Sequence, residues 1–564
     1  MSLFSSIRLA SNALRADEIA LQVVGQNIAN ANTPGYIREE VVLVPSDTQQ
    51  IGNLLLGTGV KIQAVVQVVD YFLEDRLRSA VSDTAYYQSQ SDVYLELETL
   101  IGELSSTDIS TNLSDFCSAI SEILSDPTDV SLRNLAVLQG EQLTETINYL
   151  ANNVLKMRQD VNDQIENIAS EINRLVEKIR RLNIEIAQTE GGSSSNSDAV
   201  GLRDQRLVAL TDLAKLIDIQ VEEQVNGAVV VYCNDTYLVY GGTSRSVKVE
   251  STSVNGLFTA EISIAETNAP LKTNSGELSG LIVARDKILD GFFEQLNDFA
   301  ATLIYEFNKV YASGQGLAGY EQLTSAYAVL DTTSALNKAG LEFTPTNGSF
   351  QISVFDEKAG VTKTTDLYIK LNGNPSDTTL NSLLADLNAI DGLTASLSAT
   401  GFLQIEAASG KEFYFSHDTS GVLAALGLNV FFTGTSATNI GVSSVVAKDP
   451  SLFAASQGGL GNDTQNATIL ADFADYPLAS MSRKTIAGIY EDMIARVTQG
   501  ASIAQSSCDA ASVFEETLFS EKLAVSGVSI DEETVNLLAF QRAYQAAAKY
   551  IAALDELLQI LMNL

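Results

Sequence analysis

The chain has little of what enzymes use. Histidine occurs once, as His417 within Phe413-Tyr414-Phe415-Ser416-His417-Asp418, and cysteine three times, at Cys117, Cys233 and Cys508. Asp418 could orient the lone imidazole as a base, but no Gly-x-Ser-x-Gly turn or activated-cysteine setting accompanies it, so His417 reads as structural or exposed. An odd number of widely spaced cysteines excludes a full disulfide framework and offers no zinc spacing, which leaves buried, inert thiols. Basic residues are scarce too: 34 Lys and Arg stand against 70 Asp and Glu, a formal charge of −36 that repels nucleic-acid phosphates and anionic lipid heads alike. No apolar run reaches the roughly 18–20 residues of a membrane span, and residues 1–30 lack the basic start and continuous apolar block of a cleaved secretion signal. Walker, zinc and calcium motifs are missing. Gly314, Gly316 and Gly319 match Gly-x-Gly-x-x-Gly but follow a helix, whereas a phosphate cradle needs a strand before it, so they read as helix stop and loop. The expectation is a protein without catalytic residues, cofactor or metal, binding neither nucleic acid nor membrane.

What is present lies at the ends. Leu3, Ile7, Ala10, Leu14, Leu21, Val24, Ile28 and Ala31 alternate in steps of four and three, interrupted only where Asp17 takes its turn, which is a helical stripe of period 3.5. Leu537, Phe540, Tyr544, Ala547, Ile551, Leu554, Leu558 and Leu561 repeat that spacing close to the other terminus. A helix of about 30 residues with one apolar stripe is marginal alone in water, so each seam wants a partner. The first helix should stop in Asn30-Ala31-Asn32-Thr33-Pro34-Gly35-Tyr36, because proline disfavours helix at the residue before it and Pro-Gly favours a turn.

Between the ends, Val41–Val44 and Val60–Val69 read as extended, with Gly52 and Gly57–Gly59 as loop, and helix resumes near Leu73. The strongest helix is expected over Leu143–Ile186, with Ile168, Ile172, Leu175, Ile179, Leu182 and Ile186 in heptad register. Its neighbours are the apolar faces Leu281–Val310 and Ile486–Leu523. Gly191–Ser197 reads as a flexible tip, a short helix near Leu202–Ile217 precedes alternating strands at 229–232 and 237–240, and 340–444 turns to Thr, Ser, Gly and Asn with short strands and one helix near Leu380–Ile390. The expected fold is mainly α with β: an elongated helical bundle with paired N- and C-terminal coiled-coil helices, a small β element and an inserted, mostly β domain. The domains are 1–36 with 527–564 (terminal coiled coil), 37–339 with 445–526 (bundle with the small β element) and 340–444 (inserted and surface-exposed).

The segment Asn27-Ile28-Ala29-Asn30-Ala31-Asn32-Thr33-Pro34-Gly35-Tyr36 resembles the signature of the bacterial flagellar rod, hook and hook-associated axial proteins. Ser526-Gly527-Val528-Ser529-Ile530-Asp531-Glu532-Glu533 with Asn536–Ala546, and Gly276-Glu277-Leu278-Ser279-Gly280-Leu281 with Ala284-Arg285-Asp286, are similar to the hook-associated branch that joins hook to filament. Ile37, where a small hydroxyl residue is expected, and the alanine-rich 546–548 depart from that pattern. The resemblance implies a non-enzymatic structural subunit, exported by the flagellar type III route to an extracellular place at the hook–filament junction. It implies a homo-oligomer in a ring or short helical layer, contacting hook protein and the next hook-associated protein, with an export chaperone on the C-terminal helix. The implied assembly seams are Leu3, Ile7, Leu14, Leu21, Val24 and Ile28 at one end and Leu537, Phe540, Tyr544, Ile551, Leu554, Leu558 and Leu561 at the other. Asn30, Asn32, Thr33, Pro34, Gly35 and Tyr36 form the elbow. The nearest alternatives are a hook or distal-rod subunit, favoured less because of the long helix, and, in a different class, an adhesin or glycan-acting protein working through 340–444.

Overall fold

The computed structural model describes residues 3–51, 54–102, 108–191, 197–254, 257–461 and 463–562. Helix α1 (Leu3–Asn30) stops just before the Pro34-Gly35 turn. Strands β1 (Glu39–Pro45), β2 (Thr48–Ile51), β3 (Leu54–Gly57) and β4 (Val60–Gln67) follow, β1 antiparallel to β4 and β2 to β3. The loop expected over Gly52 and Gly57–Gly59 is therefore partly strand, with Thr48 opposite Gly57 and Ile51 opposite Leu54, because extending the hairpin pairs backbone groups that a loop would leave to water. Gly52 itself lies outside the described residues, as do residues 192–196 of the expected flexible tip.

Helices α2 (Tyr71–Gly102), α3 (Ile109–Glu122), α4 (Val130–Glu190) and α5 (Val200–Leu216) come next. The Asp108 carboxylate caps α3 by accepting from the Thr111 N–H at 2.6 Å. The 61 residues of α4 span about 90 Å at 1.5 Å per residue. The heptad residues Ile168 to Ile186 are all buried, as the spacing predicts, but the helix starts at Val130 and not at Leu143. Gly140 masks the earlier start, since glycine disfavours helix by about 1 kcal/mol. Here its bare Cα lets aromatic rings close on the helix: an added Cβ would sit 2.6 Å from Phe431 and 3.2 Å from Phe116.

Strands β5 (Gln220–Glu223), β6 (Val229–Cys233), β7 (Thr236–Tyr240) and β8 (Thr243–Ser244) form an antiparallel meander, and β9 (Val247–Val254) pairs with β10 (Leu257–Ile264). Helices α6 (Gly276–Val283) and α7 (Asp290–Tyr311) are joined by a π-helical stretch, Ala284–Leu289, which the apolar spacing does not reveal. Arg285 on that stretch is buried and donates to the Ala260 carbonyl at 2.6 Å.

The next elements are β11 (Gln322–Thr324), β12 (Gly348–Asp356), β13 (Val361–Ile369), α8 (Leu380–Asn388), β14 (Leu393–Leu397), β15 (Leu403–Ala407) and β16 (Lys411–Ser416). They make two three-stranded sheets, β11-β15-β14 and β13-β12-β16, around Phe350, Ile352, Leu403, Phe413 and Phe415. After α9 (Val422–Leu426), β17 (Phe432–Thr433), β18 (Gly441–Val442), α10 (Ser444–Lys448) and α11 (Gln465–Ala471), the chain closes with α12 (Ile486–Ser526) and α13 (Ile530–Met562). The fold is mainly α with small sheets and long helices at both ends.

Two compact units emerge, one of residues 1–93, 159–285 and 502–564 and another of 94–158 and 286–501. The second unit is built on aromatics. Phe116 stacks on Phe431 at 5.2 Å between centroids, Phe307 meets Phe432 at 5.0 Å, and Tyr311 meets Phe453 at 5.3 Å, all completely buried. Arg133, also fully buried, donates to the Phe453 and Pro127 carbonyls.

Candidate assembly surface at the chain ends

The first unit brings the two seams together: α1 lies along α13 and also packs on β1 and β4. Being covered on two sides widens the buried face of α1 beyond a single heptad line. Ala10, Ala16, Ala20, Val23, Val24 and Asn27 are buried, whereas Ile7, Leu14, Leu21 and Ile28 of the expected seam are half-buried. Alanines at the contact let two backbones approach closely. On α13, Leu554 is buried and Leu537, Phe540, Ile551 and Leu558 are half-buried, while Tyr544 is 39% exposed. The side chains of Leu3 and Leu561 lie outside the described residues.

The elbow is organised by Asn27. Its Oδ1 accepts from the Tyr36 hydroxyl at 2.8 Å and from the Glu39 N–H at 3.0 Å, and its Nδ2 donates to the Glu39 carbonyl at 3.0 Å. The last turn of α1 is thereby tied to the first residue of β1. Thr33 donates to the Asn30 Oδ1 at 3.2 Å, and the Thr33 N–H bonds the Asn30 carbonyl at 2.8 Å. Gly35 has φ +79°, and a Cβ there would collide with Val208 of α5. Asn32 and Pro34 are exposed.

Several partners of the elbow fall outside the expected site residues. Ile37 is buried and its N–H bonds Asp204 of α5, which also accepts from Gln67 Nε2 at 2.5 Å. Burial outweighs these bonds and pushes the Asp204 carboxyl up to about 7. Burial, with Glu39, Asp204 and Glu533 nearby, also raises the Tyr36 hydroxyl, which stays a donor. Arg38 reaches the other terminus: its N–H bonds the Ser526 carbonyl at 3.0 Å and its guanidinium pairs with Glu532 at 3.3 Å. Only Asn27, a polar residue on an apolar helix face, carries a signal in the sequence. Asp204 and Val208 are remote in the chain and meet the turn only through folding.

A second feature is what α12 and α13 leave uncovered. Val513, Phe514, Phe519, Leu523, Val535, Leu538, Leu557 and Ile560 are each between 48% and 66% exposed. So much apolar surface along two consecutive helices is the mark of an interface. All three cysteines are free and buried, His417 is exposed, and no group of metal-ligating side chains occurs among the described residues.

Known proteins resemble this chain in sequence and fold. Residues 94–324 match the model of the flagellar hook-associated protein FlgK helical domain, 520–564 that of the flagellar basal body rod FlgEFG protein C-terminal, and 7–36 that of the flagella basal body rod protein. Flagellar hook-associated protein 1 of Bacillus subtilis is 22% identical, covering 100% of this chain and 98% of that protein. Its namesakes in Escherichia coli and Salmonella typhimurium are 23% and 24% identical, covering 99% of this chain and 100% of theirs. The solved structure of the flagellar hook junction protein FlgK from Burkholderia pseudomallei shares the fold, with a TM-score of 0.50 and 17% identity over 80% of this chain and 100% of that one. The rod-protein matches fall on the two seams and the helical-domain match on the long helices, so the chain is similar to flagellar hook-associated protein 1 along its whole length.

Proposed function

We propose that the protein is a structural subunit of the hook–filament junction, placed outside the cell after export by the flagellar type III route, and assembled through its paired terminal helices. The observation that carries this reading is the contrast on those helices: α1 and α13 cover one another through small and half-buried residues, while α12 and α13 keep large apolar side chains exposed. The half-buried seam residues Ile7, Leu14, Leu21, Ile28, Leu537, Phe540, Ile551 and Leu558 extend that surface. In the assembled state it is covered by further copies in a ring or short helical layer, by hook protein and by the next hook-associated protein. An export chaperone on α13 would shield the same residues before assembly. Asn30–Tyr36 acts as the elbow that fixes the direction of α1 relative to β1.

Electron microscopy of flagella from cells lacking the protein tests the reading. Hooks without filaments, restored by the intact chain, are the expected result. Normally attached filaments in its absence would overturn it.

A further inference from the structure

A second site lies in the first unit, away from the terminal seams. A cavity of about 670 Å³ is bounded by the start of α2, by α5 and by β5, within the roughly 300–1,000 Å³ of small-molecule sites. Two guanidinium groups line it, Arg78 and Arg206, each more than nine-tenths buried. Arg206 spends Nη1 on the Asn183 side chain at 3.1 Å and the Gly227 carbonyl at 2.6 Å, and Arg78 pairs with Asp75 at 3.3 Å. Among the described residues, neither Nε–H has an acceptor. Both Nε atoms are closed off from solvent, where an unspent donor costs about 1–3 kcal/mol, so the guanidiniums meet the cavity through their other atoms.

The rest of the lining defines the ligand. Carboxylates of Asp75, Asp218, Glu222 and Glu223 also border the cavity, outnumbering the two arginines, and they repel a phosphate or a free carboxylate. The buried arginines in turn oppose a cation. The mouth carries two aromatic rings, Tyr71 at 56% and Phe72 at 72% exposure, with the Tyr71 hydroxyl accepting from Arg203 at 3.3 Å. A neutral molecule that both donates and accepts hydrogen bonds on its edges and presents C–H groups on its faces meets all of these demands. We infer that this cavity binds a neutral oligosaccharide, with Phe72 and Tyr71 as the platform for a sugar face and with Arg78, Arg206 and Asp218 bonding its hydroxyls. Burial, together with Asp83 and Asp75, raises the Asp218 carboxyl above its ordinary value.

The test uses the full chain. A glycan array of neutral and acidic oligosaccharides identifies the best ligand, and calorimetry then measures it against inorganic phosphate and tetra-alanine, an extended peptide that could add to the free edge of β5. Saturable binding of a neutral oligosaccharide is expected. Phe72→Ala and Asp218→Asn should each weaken it by about tenfold or more without moving the melting temperature. Phe258→Ala, a control ring 69% exposed on β10, should leave it unchanged. The inference fails if no neutral saccharide saturates the protein, if Phe72→Ala binds as tightly as the parent, or if phosphate or tetra-alanine is the ligand that depends on Phe72 and Asp218.

Discussion

The aromatic core of the second unit and the helical ends of the first unit use apolar residues to opposite effect. Around Phe307 the rings of Phe116, Phe431, Phe432, Tyr311 and Phe473 all lie within 6.1 Å between centroids, and water reaches almost none of them. Along α13, by contrast, Glu533 and Leu554 are the buried side chains among the described residues, although leucine, tyrosine and isoleucine recur on every face. The first region satisfies its hydrophobic residues within the chain and thereby stabilises it. The second leaves them exposed in a single copy, which is what the proposed assembly surface requires. Hydrophobicity alone does not separate the two cases; burial does.

That contrast predicts a graded series of effects on the isolated chain. The largest belongs to the aromatic core: Phe431→Ala should lower stability by about 3–5 kcal/mol, because it empties a ring-sized space that Gly140 and Phe116 cannot fill. Urea denaturation followed by circular dichroism measures it, and a loss well under 1 kcal/mol would mean that this core relaxes freely.

Next comes the elbow, which sits between the two regimes. Gly35→Val forces a β-branched residue to φ +79° against Val208 and should cost about 1–3 kcal/mol, whereas Pro34→Ala should cost about 1 kcal/mol or less. Both should impair filament attachment in a motility assay more than their stability loss explains, since an altered turn angle recurs at every subunit. Normal filament retention in the double variant would leave the turn without a mechanical role.

Smaller still is the contribution of Asp204. Its carboxyl titrates near 7 in the folded chain and near its ordinary value of 3.8 when unfolded, so between those values the folded state holds the extra proton. Stability from this group is therefore fully present below about pH 4 and is lost as pH rises through 7. Because Asp204 is only partly shielded from solvent, the expected change is on the order of 1–2 kcal/mol. Asp204→Asn keeps an acceptor for the Ile37 N–H and should gain stability relative to the parent from pH 5 to pH 8. A constant difference between the two proteins across that range would assign the proton elsewhere.

Much of this arrangement is legible in the sequence, and the exceptions share a cause. The heptad face of α4 is readable because its buried line follows a single period. On α1 the hairpin β1 and β4 adds a second cover, and the buried face moves to Ala16, Ala20, Val23 and Asn27. Gly140 is hard to place for a related reason, since its merit lies in the approach of Phe431, a residue remote in the chain. Asp204 and Val208 complete the elbow only after α5 has folded against it. The boundary expected at residue 340 meets a similar difficulty: β11, at Gln322–Thr324, pairs with β15, so we propose that an excisable β-rich domain begins before β11. Deleting 340–444 should therefore strand β11 and also take Phe431 and Phe432 out of the aromatic core, and is expected to lower solubility.

The smallest expected effect on the monomer is also the most direct test of the idea that the chain ends are built for assembly. Leu538→Asp with Ile560→Asp places two charges on side chains that are 48% and 55% exposed. Exposed substitutions of this kind change monomer stability by about 0.5 kcal/mol or less each. The measurement is filament retention on cells carrying the double variant, read by electron microscopy beside the melting temperature of the purified protein. An unchanged melting temperature with filaments lost is the expected result, and normally attached filaments would contradict an assembly role for this surface.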